Sequence, residues 1–234
     1  MTAPIRLYEL TGARDDIRFS PYCWRTRFAL AHKELGIEGI AWRFNDKEAI
    51  AASGQGKVPV IVDGDRFVSD SWAIAEYLEA QYPDRPSLFG SDTTRALTHF
   101  INQWTDVTVH PALARLLLPE IHDILAEADK DYFRSTRESM LGASFEQLRG
   151  ERDQWLAKLR EALSPLRRTL THQPFIAGEA PAYADHIVAG TFQWARICSP
   201  QPVLAEDDPV GAWMDRMLDA YAGMARQAPL AHPA

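Results

Sequence analysis

Ser20 and Pro21, in the run Phe19-Ser20-Pro21-Tyr22-Cys23-Trp24-Arg25, carry the clearest chemical signal in this chain of 234 residues. A hydroxyl residue followed by proline and then an amphipathic run reads as a helix start, with Ser20 at the N-cap and Pro21 at the first helical position. Such a start gathers unpaired backbone N–H groups and the positive end of the helix dipole around one hydroxyl, so it favours an anion. Two later stretches accompany it. Val58-Pro59 leads a run of apolar residues, and a proline there cannot donate to a ladder, so it belongs at a strand's edge or first position. Asp70-Ser71 precedes a second amphipathic run, again in a capping position. On residue type alone, Ser20 and Asp70-Ser71 serve as helix caps and Val58-Pro59 as a trans strand-edge pair.

The segments between these residues supply elements to hold them. Ile5 to Leu10 alternates apolar and polar as a first strand does, and Thr11 to Arg18 is a polar loop that delivers the chain to Ser20. From Pro21 on, Trp24, Phe28, Ala31 and Leu35 fall on one helical face, which Gly36 is expected to end. Ile40–Phe44 reads as a second strand and residues 46–52 as a weak helix, closed by Ser53-Gly54-Gln55-Gly56. Val58–Val62 and Arg66–Val68 flank Asp63-Gly64-Asp65 as a hairpin, and a helix starts after Ser69-Asp70-Ser71. The order is βαβαββα. Tyr82 to Gly90 is dense in proline and turn formers, which places a first domain at 1–84, a linker at 85–91 and a second domain at 92–234. Beyond the linker only helical spacing persists: 96–118 with a kink or break at Pro111, then 131–148, 151–171, 185–196 and 209–222.

Composition excludes several classes. A formal charge of −7 without any basic cluster leaves no nucleic-acid footprint. Hydrophobic and charged fractions of 46% and 24% are those of a folded chain with a core. No apolar run approaches the length of a membrane span, and Met1 to Arg6 lacks an export pattern, so a cytoplasmic protein is expected. Cys23 and Cys198 form no disulfide framework, and the seven histidines show no metal-binding spacing, so no metal is expected.

Ser-Pro-Tyr-Cys resembles the Cys-Pro-Tyr-Cys turn of glutaredoxins with the first sulfur replaced by oxygen. Disulfide exchange needs an attacking thiolate at that position, so the serine removes this chemistry. Its hydroxyl can instead hydrogen-bond the thiolate of glutathione. A thioredoxin-like βαβαββα half followed by an all-helical half is the plan of the glutathione S-transferases, and the chain resembles them along its whole length. Ser-Pro-Tyr-x-Trp-Arg, Lys57-Val58-Pro59-Val60-Ile61-Val62-Asp63, Asp70-Ser71-Trp72 with Ile74-Ala75-Glu76-Tyr77-Leu78, and Tyr82-Pro83-Asp84-Arg85-Pro86 are most similar to bacterial β-etherases of lignin breakdown and fungal etherase-related transferases. Glu206-Asp207-Asp208-Pro209 and Trp213-Met214-Asp215-Arg216 are similar to that group too.

The resemblance implies that Ser20 is the catalytic hydroxyl and that Pro59 is cis. It implies that Val58 pairs its backbone with the cysteinyl part of glutathione, that Lys57 lies toward the glycine end, and that Asp70 and Ser71 hold the γ-glutamyl ammonium and carboxylate. Cys23, one turn beyond Ser20, is either a reactive thiol, a buried spectator or an accessory contact; Tyr22 lines the mouth of the site or packs on the second domain; Arg25 is a surface cation or a helper of Ser20. Trp104, Val107, Thr108, His110 and Pro111 are candidates for the wall of a hydrophobic, aromatic substrate's site, each with core packing as the alternative. A homodimer is implied, with Trp72 or Phe67 as candidate contacts. The capping box expected before Asp185 has Ala182 where a hydroxyl residue is usual, and about 1 kcal/mol of capping should be lost unless a neighbour substitutes. Three functions follow: a transferase whose thiolate attacks an aromatic electrophile, including β-aryl ether cleavage; a glutathione-dependent isomerase like the maleylacetoacetate isomerases; or a non-catalytic protein that binds aromatic ligands.

Overall fold

The computed structural model describes residues 3–232. Four strands form one sheet, β1 (Ile5–Leu10), β2 (Ile37–Trp42), β3 (Val60–Asp63) and β4 (Arg66–Ser69), in the order β2-β1-β3-β4. β2 runs parallel to β1, while β3 is antiparallel to both β1 and β4. Val60, the first residue of β3, pairs with Tyr8 near the end of β1 and with Ser69 at the end of β4. This register carries the exit of β1, the entrance of β3 and the exit of β4 to one end of the sheet. Helix α1 (Pro21–His32) follows β1 and helix α2 (Ser71–Gln81) follows β4, so both helices begin there.

Several boundaries differ from the sequence reading: β3 begins at Val60 rather than Val58, which leaves Pro59 just ahead of the strand. The second strand begins at Ile37 rather than Ile40, and the weak helix is a 3-10 stretch, Lys47–Ser53. α1 ends at His32, not Gly36, because Glu34 turns left-handed (φ 54°) and the Leu35 amide reaches back to the Leu30 carbonyl. Leu35 and Leu30 are both buried in one cluster, the apolar contact that usually accompanies such a closure.

The remainder is helical: α3 (Asp92–Trp104), α4 (His110–Ile124), α5 (Glu127–Leu141), α6 (Phe145–Gly150), α7 (Arg152–Ala162), α8 (Ser164–Leu170), α9 (Tyr183–Cys198) and α10 (Pro209–Gly223). Pro111 does not break the chain's course. α3 passes into α4 through a π turn, Thr105–Val109, whose wider loop accommodates a residue with no amide proton and a ring that would crowd the preceding turn. The helix expected over 131–148 is split, since Gly142 takes φ 64° and ends α5; that over 151–171 is split between α7 and α8 just before Pro165. No helix among the described residues is long and apolar enough to cross a membrane.

The two halves meet along α1 and α9. Gly190 makes this approach possible: a Cβ there would lie 2.6 Å from the Pro21 carbonyl oxygen and 3.0 Å from the Arg25 amide nitrogen. α9 is buried along nearly its whole length. Its start is held by Asp185, whose carboxylate accepts from the amides of Ile176, Ala177 and Ala182 and from Trp213 Nε1. Ala182 offers no side-chain acceptor, and the Asp185 amide goes instead to the Ala182 carbonyl at 2.9 Å. Backbone thus substitutes for the missing hydroxyl.

At the far end of α1 the joint is polar. The Ser87 carbonyl accepts from His32 Nε2 (2.9 Å), so neutral His32 accepts at Nδ1 from the Tyr221 hydroxyl (2.9 Å), and that oxygen accepts from His186 Nε2 (2.7 Å). Burial lowers the pKa of both histidines, which keeps the chain of donors in this neutral form.

Candidate active site

Ser20 is the N-cap of α1, with Pro21 behind it, as the sequence predicts. Its hydroxyl oxygen accepts from the Cys23 amide at a long 3.4 Å, and its carbonyl accepts from the Trp24 amide at 3.1 Å. Pro21 has no amide proton, and the Tyr22 amide has no acceptor among the described residues. Ser20 Oγ acts as an acceptor in the cap and keeps an O–H to donate, with the Cys23 sulfur as its neighbour inside the fold. The first turn therefore presents one O–H and one N–H at the positive end of a helix dipole, a setting that stabilises a thiolate.

The start of α2 is built differently. Asp70 has φ 75°, and one carboxylate oxygen accepts from both the Trp72 amide (2.9 Å) and the Ala73 amide (3.0 Å). Ile74 donates to the Asp70 carbonyl at 2.8 Å. Asp70 is exposed, Ser71 is buried, and the Tyr183 hydroxyl pins the Ser71 carbonyl at 2.6 Å. The pair offers a carboxylate for a cation beside a hydroxyl and an amide for an anion. Between the two helix starts, the Val58-Pro59 peptide bond is cis, with Pro59 buried, Val58 half-buried and Lys57 exposed.

Cys23 is 1% exposed, its sulfur 3.9 Å from the Tyr8 carbonyl. Burial, and next the Glu9 carboxylate, push its thiol up to about 12, so it stays protonated and unreactive at neutral pH. Arg25 is no surface cation. It is fully buried and points into the helical half, donating to Asn102 (3.0 Å), Asp106 (2.7 Å) and Thr191 (3.5 Å). Its guanidinium also lies 4.5 Å from the Tyr22 ring centre. Tyr22 is half-buried, and burial raises its hydroxyl's pKa, with the nearby Asp106 acting in the same direction.

Of the residues considered for a hydrophobic wall, His110 meets the first turn of α1: its ring centre is 5.4 Å from that of Tyr22, and it stacks on Trp194 at 4.8 Å. Burial, then the Arg25 charge, depress its pKa to about 4, so it is neutral at pH 7. Trp104 is half-buried, while Val107, Thr108 and Pro111 are exposed. Trp72 packs on Phe89, His99 and Tyr183 within the chain, and Phe67 is half-buried beside β3. Leu97, Phe100 and Val107, at spacings of three and seven along α3 and the π turn, are exposed large apolar residues, as are Tyr132 and Met140 on α5. Sequence reasoning missed Asn102, Asp106, Thr191 and Trp194. An Asn-Asp pair four residues apart on a helix facing a buried arginine is the signal for the first two.

Known proteins share this fold. Residues 16–86 match a model of the glutathione S-transferase N-terminal domain and residues 96–221 one of its C-terminal domain. The glutathione S-transferase-like protein ustS of Aspergillus flavus is 30% identical over 139 residues, covering 54% of this chain. The match spans about half the length of that relative, 49%. Glutathione transferase GSTFuA3 of Phanerochaete chrysosporium superposes with a TM-score of 0.83 at 26% identity, over 95% of this chain and 98% of its own. The glutathione S-transferase CsGST83044 of Ceriporiopsis subvermispora, solved in complex with glutathione, gives 0.82 at 25% identity over 95% and 99%.

Proposed function

The chain belongs to the glutathione S-transferase family, and on that premise we propose that it binds glutathione across the starts of α1 and α2 and holds its sulfur as a thiolate on the Ser20 hydroxyl. The observation that carries this reading is the Ser20 cap itself, a hydroxyl with an O–H to donate, at a helix start beside an amide without an acceptor among the described residues. A free thiol with pKa near 8.5 is only a few per cent ionised at pH 7. Each unit by which the site lowers that value is worth about 1.4 kcal/mol. Val58 then pairs its backbone with the cysteinyl residue as a short strand addition, Asp70 takes the γ-glutamyl ammonium, Ser71 takes its carboxylate, and Lys57 faces the glycine end.

The second substrate is a hydrophobic aromatic electrophile seated near Tyr22 and His110. In the β-aryl ether case the thiolate forms a C–S bond at the carbon that carries the aryloxy group, the C–O bond breaks with its electron pair, and the phenolate leaves to take a proton from water. Similarity of the motifs to β-etherases supports this substrate class. We further propose a homodimer through the exposed apolar stripe that runs from α3 into the π turn, where Leu97, Phe100 and Val107 lie 63–69% open. Product analysis tests the chemistry: one glutathione consumed per phenol released supports ether cleavage. Isomerised product with no net glutathione consumed supports the isomerase reading, and saturable binding without turnover supports a binding protein.

A further inference from the structure

The helical half contains a cavity of about 280 Å³ to which no residue of the first half contributes. Leu116, Pro119, Leu148 and Pro200 give it apolar walls, and Glu120 of α4 and Arg152 of α7 line it together. These two form an ion pair through a single contact, Arg152 Nη1 to Glu120 Oε1 at 3.0 Å. The other oxygen, Glu120 Oε2, and the other terminal nitrogen, Arg152 Nη2, are both buried without a partner. Burial raises the Glu120 carboxyl's pKa; the Ser199 hydroxyl, near enough to oppose that shift, gives its proton to the Gln201 carbonyl at 2.7 Å.

A pair that served only to tie α4 to α7 would be expected to close bidentately, because a buried polar atom left open costs about 1–3 kcal/mol. Here an acceptor and a donor are left open on two paired residues that line one cavity. We propose that this cavity is a second small-molecule site, taking a neutral one-ring aromatic molecule whose phenol hydroxyl or carboxamide donates to Glu120 and accepts from Arg152. Neutrality follows from the fixed charges of the wall: Arg152 is matched by Glu120, and Arg149 by Asp123 at 2.7 Å, with His232 the one further titratable residue among the described residues that line it. A carboxylate would face Glu120, and an ammonium would face Arg152. The volume lies just below the roughly 300–1,000 Å³ of sites for larger ligands, which suits a single ring.

Benzamide is the probe, titrated into the full chain by calorimetry or ligand-observed NMR, with and without saturating S-hexylglutathione. The expected results are binding that S-hexylglutathione changes by less than twofold and benzoate or benzylamine binding at least tenfold weaker. Glu120→Met/Arg152→Met should weaken benzamide at least tenfold and leave the rate of glutathione conjugation within twofold. If that double variant does not fold, Glu120→Gln, which keeps the shape and replaces an acceptor by a donor, should weaken benzamide in the same way. The proposal is overturned if no benzamide binds, if S-hexylglutathione displaces it, or if the folded variants bind it as the parent does.

Discussion

Two helices begin at the same end of the sheet, and their starts are finished in opposite ways. α2 is capped by a carboxylate that takes two amides at 2.9 and 3.0 Å, so its local dipole is met by a full negative charge from the chain itself. α1 is capped by a neutral hydroxyl at 3.4 Å, so its dipole is left for something else to meet. The difference teaches where each charge of a bound tripeptide belongs. On the proposed function, the closed start would take the ammonium and one carboxylate and the open start the thiolate.

Removing the open start's hydroxyl should have the largest effect. Ser20→Ala is expected to lower kcat/KM for glutathione conjugation by about 10–100-fold at pH 7, one to two pKa units of lost thiolate stabilisation. The deficit should shrink as pH rises toward 9, where free glutathione ionises unaided, and stability should fall by only about 1 kcal/mol for the lost cap. A variant as active as the parent at pH 7 would falsify the assignment.

The closed start is probed by Asp70→Asn, since asparagine also caps and tolerates a positive φ. KM for glutathione should rise about tenfold with kcat nearly unchanged, the loss expected for one charge-assisted hydrogen bond. An unchanged KM would mean that Asp70 serves α2 alone.

The wall behind the open start carries its own pH dependence. His110 is depressed to about 4 in the folded chain against about 6.5 when unfolded. A depressed value means that the stabilising contribution is complete above pH 6.5 and is lost as pH falls from there toward 4. Wild type should therefore lose about 1–2 kcal/mol more than His110→Gln between pH 7.5 and 5 in denaturant titrations. Parallel curves would show that the imidazole is not held neutral. Cys23 should give the smallest response: with its thiol held at about 12, Cys23→Ala should leave conjugation within about twofold, and inactivation by iodoacetamide traced to Cys23 would contradict this.

Legibility in the sequence tracked locality. Ser20-Pro21, the Asp63-Gly64-Asp65 hairpin and the Asp70 cap are written in adjacent residues, and each stands where the sequence places it. The positive-φ turn at Glu34 was not legible, because it is forced by Leu35 folding back on Leu30 rather than by a residue that prefers that conformation. Pro111 marked an interruption whose form was not legible: a π turn just ahead of it, Thr105–Val109, rather than a break. The environment of the site was the least legible. Whether Cys23 and Arg25 face a ligand depends on Glu9 of β1 and on Asp106 and Thr191, and the last two reach α1 only where the two halves pack.

The central claim, that the α1 start keeps a bound sulfur charged, is tested most directly by titrating the ultraviolet absorbance of glutathione thiolate bound to the protein. The account predicts a midpoint at least one unit below that of free glutathione in the parent, returning toward the free value in Ser20→Ala. A bound midpoint equal to that of free glutathione would contradict it.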